Sequence, residues 1–128
     1  MLRAVYEGIV FSHRMHIEKL LQLSDKPKCI RIAGGVTKAP MWVQMFADAL
    51  QMPIEVSDNT ELGTMGAAMC ASVATGTHST LLAASKEFSK ISYTCEPNTK
   101  NQSVYDKKYK LYKKVISKLE TLWMEWNK

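Results

Sequence analysis

The glycine pair Gly34 and Gly35 is the feature of this sequence best suited to binding a ligand. It follows a short strand candidate, residues 29–33, with Ile30 and Ile32 on one face, and precedes an amphipathic segment. A strand that turns through glycines into a helix directs unpaired backbone N–H groups and the positive helix end at one point, which suits a phosphate. Glycine is also the ordinary residue of a sharp strand–helix turn, so the pair alone leaves a structural role open. Neither the G-x-G-x-x-G nor the P-loop pattern is present.

Residues able to bind metal or act as nucleophiles are scattered along the chain. The three cysteines are odd in number, lie far apart and form no C-x-x-C pair, which is typical of free thiols in a reducing cytoplasm. The three histidines lack metal-ligand spacing with them, so we predict no metal site. These residues are Cys29, Cys70, Cys95, His13, His16 and His78.

The positive charge is concentrated near the C-terminus. Of the formal net charge of +5, much comes from seven lysines between Lys100 and Lys118, opposed only by Asp106. Clustered lysines either form a solvated helix face or bind nucleic acid. Because the chain has only three arginines and no glycine–aromatic interleaving, we predict the solvated face and no nucleic-acid partner.

The hydropathy pattern favours a cytoplasmic globular protein without a membrane segment. The longest uncharged run, residues 62–85, is rich in Gly, Ala, Ser and Thr and is too polar to span a bilayer. A chain of 128 residues with 46% apolar residues corresponds to one domain, so we treat residues 1–128 as a single unit.

Apolar spacing predicts the elements that position the glycine pair. Residues 1–23 are predicted to be a helix that ends before Pro27, and residues 29–33 a short strand. Between Trp42 and Leu50 the apolar residues recur at helical spacing. A second strand, residues 53–56, is placed near a sheet edge because Pro53 lacks a donor.

The second half of the chain is predicted to be mainly helical. The small residues of a helix at 61–74 indicate close approach to a neighbour, and Gly76 is expected to cap its end. A helix at 77–89 and an extended segment at 91–95 follow. The tail carries an aromatic seam over more than twenty residues, which we expect to be packed. The seam comprises Tyr105, Tyr109, Tyr112, Ile116, Leu119, Trp123 and Trp126.

Alternation of strands and helices predicts the α/β class, with a parallel sheet covered by helices and a long C-terminal helix. Two or three short strands leave sheet edges unpaired. We therefore expect a fragment whose sheet is completed by upstream sequence or by another chain, and predict self-association.

Residues 32–50 closely resemble the FGGY carbohydrate kinases. In that family's C-terminal domain a glycine run precedes a segment like Ala-Lys-Ser-Pro and a helix like Trp-x-Gln-x-x-Ala-Asp-x-Leu. Residues 53–68 resemble the next strand and Gly-Ala-Ala helix of the family. The helix at 4–11 and the Glu96-Pro97-Asn98 tail agree as well, with a moderate likeness to pentulose kinases such as L-xylulose or D-xylulose kinase.

The resemblance implies a partial ribonuclease-H-like domain of the actin-like ATPase superfamily, the C-terminal nucleotide-binding part of a transferase of carbohydrate metabolism. ATP, with Mg²⁺ in the complete enzyme, would contact Gly34, Gly35 and Val36. Ala39 would lie near the adenine, where the family often has Ser or Asn, so side-chain recognition is lost there. The sugar would be bound only through the missing N-terminal domain.

The resemblance also implies that the catalytic aspartate lies upstream, so this chain contains no catalytic residue and is expected to be inactive alone. Asp25 lies in a helix-ending turn, Asp48 on a helix face, and Asp58 before a helix as a cap, so none of them replaces it. The alternative is a non-catalytic interaction module derived from a truncated kinase.

Overall fold

A computed structural model describes residues 1–59 and 61–126 of the chain. It confirms the α/β class, with a small sheet and a long C-terminal helix. The described helices are α1 (Leu2–Leu20), α2 (Pro40–Leu50), α3 (Leu62–Ala74), α4 (Leu81–Phe88) and α5 (Gln102–Trp126). The strands are β1 (Ile30–Ile32), β2 (Ile54–Ser57) and β3 (Ile91–Cys95), with 3₁₀ turns at Gly35–Lys38 and Thr99–Asn101.

The sheet has the order β1-β2-β3 and is only half parallel. β1 and β2 pair in parallel, with Ile30 opposite Ile54, as the single crossover helix α2 requires. β3 pairs antiparallel to β2, with Cys95 opposite Ile54, so the prediction of a parallel sheet is wrong for this strand. The connection to β3 contains two helices, α3 and α4, and delivers the chain to the opposite end of the sheet.

β2 is the central strand of the described sheet, so its predicted place near an edge is also wrong. Pro53 lies just before β2, where its missing N–H costs no hydrogen bond of the ladder. Its carbonyl accepts a hydrogen bond from the Ile30 N–H at 3.0 Å. Among the described strands, β1 has a neighbour on one side only, which leaves its outer edge unpaired.

The core lies between one face of the sheet and the helices α1, α2 and α5. Alternate residues of β2, Ile54 and Val56, point into it, and the predicted apolar stripe of α2 covers them. This packing confirms the helical spacing between Trp42 and Leu50. The core residues are Val10, Phe11, Val43, Met45, Phe46, Ala47, Ala49, Ile54, Val56, Tyr105 and Tyr109.

The aromatic seam of α5 is packed only in its first half. Tyr109 is 2% exposed, and its hydroxyl donates a hydrogen bond to Glu18 on α1 at 2.8 Å. Trp123 and Trp126 are 54% and 87% exposed. Ile116 and Leu119 are half-buried. The prediction of continuous packing is therefore wrong at Trp123 and Trp126, because α5 extends further than the helices against which it packs.

The end of α3 is as predicted, but its surroundings are not. Gly76 has φ 77° and follows the last turn, which confirms it as the residue that ends the helix. A Cβ added at Gly63 or Gly66 would meet nothing within 4 Å, so the close approach predicted for these glycines is wrong within the described chain. The next helix begins at Leu81, later than predicted, because the Thr80 hydroxyl accepts the Ala83 N–H and caps it there.

Glu7 joins α1 to α5 through a nearly buried ionic contact. Its carboxylate accepts hydrogen bonds from Lys108 Nζ at 2.7 and 2.8 Å and from Arg3 Nε at 2.9 Å. Burial acts to raise the pKa of Glu7, but the hydrogen bonds from Lys108 and Arg3 outweigh it, and the pKa lies below its ordinary value.

Glu7→Gln is expected to lower the free energy of unfolding by roughly 1–2 kcal/mol at pH 7. A carboxylate whose pKa is lowered by folding stabilises the protein above the pKa of the unfolded chain, and this contribution is lost as the pH falls through the folded-state pKa. The difference between wild type and variant should therefore shrink below about pH 4. Urea unfolding at several pH values measures this difference in the free energy of unfolding, and Glu61→Gln, at an exposed glutamate, is the control. A difference of equal size at acid and neutral pH would contradict the prediction.

Candidate functional site

The β1–α2 connection turns sharply at Gly34. This residue has φ 84° and ψ −158°, a backbone conformation that is essentially restricted to glycine. The chain then forms the 3₁₀ turn Gly35–Lys38, and α2 begins only at Pro40. The sequence predicted a helix start directly after the glycines, but Ala39 precedes a proline and has φ −122° and ψ 87°, which separates the turn from α2.

Backbone N–H groups are available at this turn. The Gly34 carbonyl accepts hydrogen bonds from the Thr37 N–H at 3.1 Å and the Thr37 hydroxyl at 2.7 Å. Among the described residues, the N–H groups of Gly35 and Val36 donate to no backbone carbonyl, since they precede the first bond of the turn. A Cβ added at Gly34 or Gly35 would meet nothing within 4 Å. The turn thus has two N–H donors without a backbone acceptor among the described residues, and open space at the Cβ positions of its glycines.

Ala39 lies at the start of α2 and contributes only backbone groups. Its carbonyl accepts hydrogen bonds from the N–H groups of Trp42 at 2.8 Å and Val43 at 3.2 Å, and its methyl group provides no cap. Gly34, Gly35, Val36 and Ala39 therefore share one short loop at the carboxyl end of β1.

An apolar cavity of about 280 Å³ lies next to this loop, between α1, α2 and β1. Val36 and Trp42 form its wall near the turn, and Ile30 and Ile32 form the wall towards the unpaired edge of β1. The Trp42 indole N–H is buried and has no hydrogen-bond partner among the described residues. The cavity is thus a partly open apolar cleft beside the glycine turn.

Comparison with known proteins decides the family. The signature of the "FGGY family of carbohydrate kinases, C-terminal domain" matches residues 1–75, more than half of the chain. The chain belongs to the FGGY family of carbohydrate kinases. Its fold is accordingly that of part of an actin-like ATPase domain, and the resemblance of residues 32–50 to this family is confirmed.

Kinases of xylulose are among the similar proteins. The L-xylulose/3-keto-L-gulonate kinase of Escherichia coli (strain K12) is 32% identical over 94% of this chain and 24% of its own length. The probable L-xylulose kinase of Pasteurella multocida (strain Pm70) is 30% identical over 95% of this chain and 24% of its own length. This FGGY chain spans about a quarter of the length of these relatives.

Solved structures agree in fold. A ligand-bound xylulose kinase from Lactobacillus acidophilus superposes with a TM-score of 0.82, at 29% identity over 92% of this chain and 24% of that chain. A Plasmodium falciparum glycerol kinase with ADP superposes with a TM-score of 0.74, at 22% identity over 92% of this chain and 24% of that chain. The second likeness concerns the fold alone.

In this FGGY chain the motif residue Asp48 has a structural position that its sequence context did not reveal. It is 2% exposed rather than a surface residue of a helix face. Its Oδ1 accepts hydrogen bonds from Gln44 Nε2 at 2.7 Å and the Asn98 N–H at 2.8 Å, and its Oδ2 accepts one from Asn101 Nδ2 at 2.7 Å. Asp48 thereby fastens the start of α5 to α2.

Gln44 completes this link between α2 and the tail. Its Nε2 also donates to the Glu96 carbonyl at 3.0 Å, and its Oε1 accepts a hydrogen bond from the Cys95 thiol at 3.1 Å. Burial and the nearby Asp48 charge raise the pKa of Cys95, which keeps the thiol protonated as a donor. The sequence contained evidence for this link between α2 and the tail. The family resemblance rested on both the helix motif with Gln44 and Asp48 and the tail at 96–98.

The prediction that Asp58 caps a helix is wrong, because α3 begins after Glu61. The Glu61 N–H donates a hydrogen bond to Asn59 Oδ1. Within residues 1–59 and 61–126, no three His, Cys, Asp or Glu side chains are grouped so as to hold a metal ion. None of the helices described there combines the length and the hydrophobicity needed to cross a bilayer.

Proposed function

We propose that this chain forms one wall of the ATP site of a carbohydrate kinase, with Gly34, Gly35 and Val36 against the phosphates and Ala39 near the adenine. The observation that carries the proposal is the glycine-only conformation of Gly34, which is followed by two N–H groups, those of Gly35 and Val36, that donate to no backbone carbonyl among the described residues. Oriented backbone N–H groups bind phosphate oxygens without needing a charged side chain. The position of this turn in the FGGY-matching segment supports the same role.

The complete protein would transfer the γ-phosphate of ATP to a sugar hydroxyl. This reaction needs a positioned acceptor, Mg²⁺ and a group that orients or deprotonates the nucleophile. Asp48 is unsuited to that last role because both of its carboxylate oxygens are already hydrogen-bonded inside the fold. We propose that the base and the sugar-binding residues belong to the remaining three quarters of the kinase length, and that Mg²⁺ binds with ATP in the complete enzyme.

The proposed sugar is a pentulose. The L-xylulose and xylulose kinases among the relatives support this substrate class. In this proposal the chain forms the nucleotide side of the cleft, and the sugar would be bound by the other part of the complete enzyme.

We also propose a cytoplasmic location. The free thiols at Cys29, Cys70 and Cys95 fit a reducing compartment.

Fluorescence of Trp42 tests the nucleotide site directly. Trp42 follows Ala39 by one turn, so MgATP should alter its emission in a saturable manner in a Trp123→Phe/Trp126→Phe background that leaves it the only tryptophan. Absence of any response up to millimolar MgATP would overturn the proposal. MgCl₂ alone and inorganic phosphate are the controls, because they separate nucleotide binding from a general anion effect.

Ala39 gives the alternative function its support. Its methyl group cannot hydrogen-bond a base, as expected of a nucleotide site that has decayed into an interaction module. The MgATP titration followed by Trp42 fluorescence decides between the two functions.

We also propose that the chain self-associates, because β1 has an unpaired outer edge among the described strands.

A further inference from the structure

The second half of α5 presents large apolar side chains to solvent. Val115, Leu122, Trp123 and Trp126 are exposed, while Leu119 is half-buried. They share one wide helical face, because they recur at spacings of three and four residues. Single exposed apolar residues are common, but a continuous face that includes two tryptophans is typical of an interaction surface.

The apolar positions on this face are arranged symmetrically about Leu119. Ile116 and Leu122 lie three residues away on either side, and Val115 and Trp123 lie four residues away. Tyr112 and Trp126 lie seven residues away. Two copies of α5 that cross antiparallel at Leu119 therefore place apolar side chains on apolar side chains between Val115 and Trp123, as a twofold interface requires. Tyr112 lies at the margin of this contact, because it also packs on Phe11 of its own chain.

The charges of α5 favour the same antiparallel direction. Residues 107–118 contain six lysines and no acidic residue, whereas the only charged residues between 119 and 126 are Glu120 and Glu125. Two parallel helices would place lysines beside lysines. The antiparallel arrangement brings the acidic end of each helix to the basic segment of the other. The charges therefore favour the antiparallel pair over the parallel one.

The area of this face is sufficient for a specific contact. A tryptophan has about 150–250 Å² to bury. Since Trp123 is 54% and Trp126 87% exposed, the four tryptophans of a pair can bury at most roughly 420–700 Å² before the aliphatic residues are added. Stable specific interfaces begin near about 1,000 Å². The contact is thus large enough for a dimer of moderate affinity.

We infer that a second copy of this chain covers the exposed half of α5, in an antiparallel helix pair centred on Leu119. This contact surface is separate from the unpaired β1 edge, and its pairing does not depend on nucleotide binding. The charges select the occupant, because the acidic end of a second α5 meets the lysines of the first, of which Lys107, Lys110, Lys114 and Lys118 form no ion pair among the described residues. The lysine-rich part of α5 then helps to select the partner, because it attracts the acidic end of the second helix.

Sedimentation velocity of the full chain over a micromolar concentration series tests the inference. Wild type should form dimers, and Leu122→Glu/Trp123→Glu should raise the dissociation constant by about tenfold or more. Leu82→Glu, at an equally exposed leucine of α4, is the matched control and should leave it unchanged. Circular dichroism verifies that each variant is folded. A wild type that stays monomeric, or a dimer that the double substitution leaves intact, would overturn the inference.

Cysteine cross-linking tests the direction of the helices in a Cys70→Ser background. When a Val115→Cys chain is mixed with a Trp123→Cys chain, the heterologous disulfide should predominate, because these positions lie opposite each other in the antiparallel pair. A Val115→Cys chain alone should cross-link poorly. Efficient cross-linking between two Val115→Cys chains would indicate a parallel contact and would refute the arrangement.

Discussion

Asp48→Ala is expected to lower the free energy of unfolding by about 3 kcal/mol, the largest effect of any single substitution outside the apolar core. The substitution removes one nearly buried carboxylate that accepts three hydrogen bonds. It leaves the Asn98 N–H and the half-buried Asn101 amide without their charged acceptor, and hydrogen bonds to a charged group contribute more than neutral ones.

The effect should be concentrated where α5 meets α2. Urea unfolding measures the total loss, and amide hydrogen exchange should show that protection falls first around residues 98–109. Asp58→Ala is the matched control, because Asp58 is an exposed loop carboxylate and its loss should change stability by less than about 0.5 kcal/mol. Equal effects of the two substitutions would show that the hydrogen bonds of Asp48 do not stabilise the fold.

Gly34→Ala is expected to abolish the MgATP response of Trp42 and to lower the free energy of unfolding by about 1–3 kcal/mol. The cost comes from the backbone and not from crowding, since a Cβ at this position meets nothing within 4 Å but the residue must adopt φ 84°. Relief of this strain would rotate the turn and redirect the N–H groups of Gly35 and Val36.

Two other glycines separate strain from binding. Gly76→Ala imposes a similar positive φ at the end of α3, far along the chain from the turn, so it should reduce stability and leave the MgATP response intact. Gly35→Ala, at a glycine without positive φ and with open space beside it, should have little effect on stability. Retention of the full MgATP response by Gly34→Ala would show that the turn does not contact the nucleotide.

Local patterns predicted the elements that surround the glycine turn. The apolar stripe of α2, the stop of the first helix before Pro27 and the role of Gly76 depend on short spacings, and the structure confirms them. The family could be recognised for the same reason, since its motif residues lie within residues 32–50 and near the tail. The role of the turn in binding ATP stays a prediction.

The predictions were wrong where the structure of a segment depends on a partner that is distant in the sequence. The direction of β3 depends on how α3 and α4 return the chain to the sheet, and no property of residues 91–95 encodes it. Pro53 indicated an edge strand, but its position just outside β2 removes the conflict with a central place. The packing of the α5 seam depends on how far the neighbouring helices extend, so Tyr109 and Trp123 have the same apolar spacing and opposite exposure.

By itself, the sequence determined the α/β class, the order of the helices and strands, the glycine turn and the membership in the FGGY family. These properties rest on backbone preference and on apolar periodicity, which act over a few residues. Only the tertiary structure decided that Asp48 is a buried acceptor joining α2 to α5, that β2 is central and pairs antiparallel with β3, and that the end of α5 is exposed. Burial and hydrogen-bond partnership are properties of pairs of segments, and about fifty residues separate Asp48 from the amides that it binds.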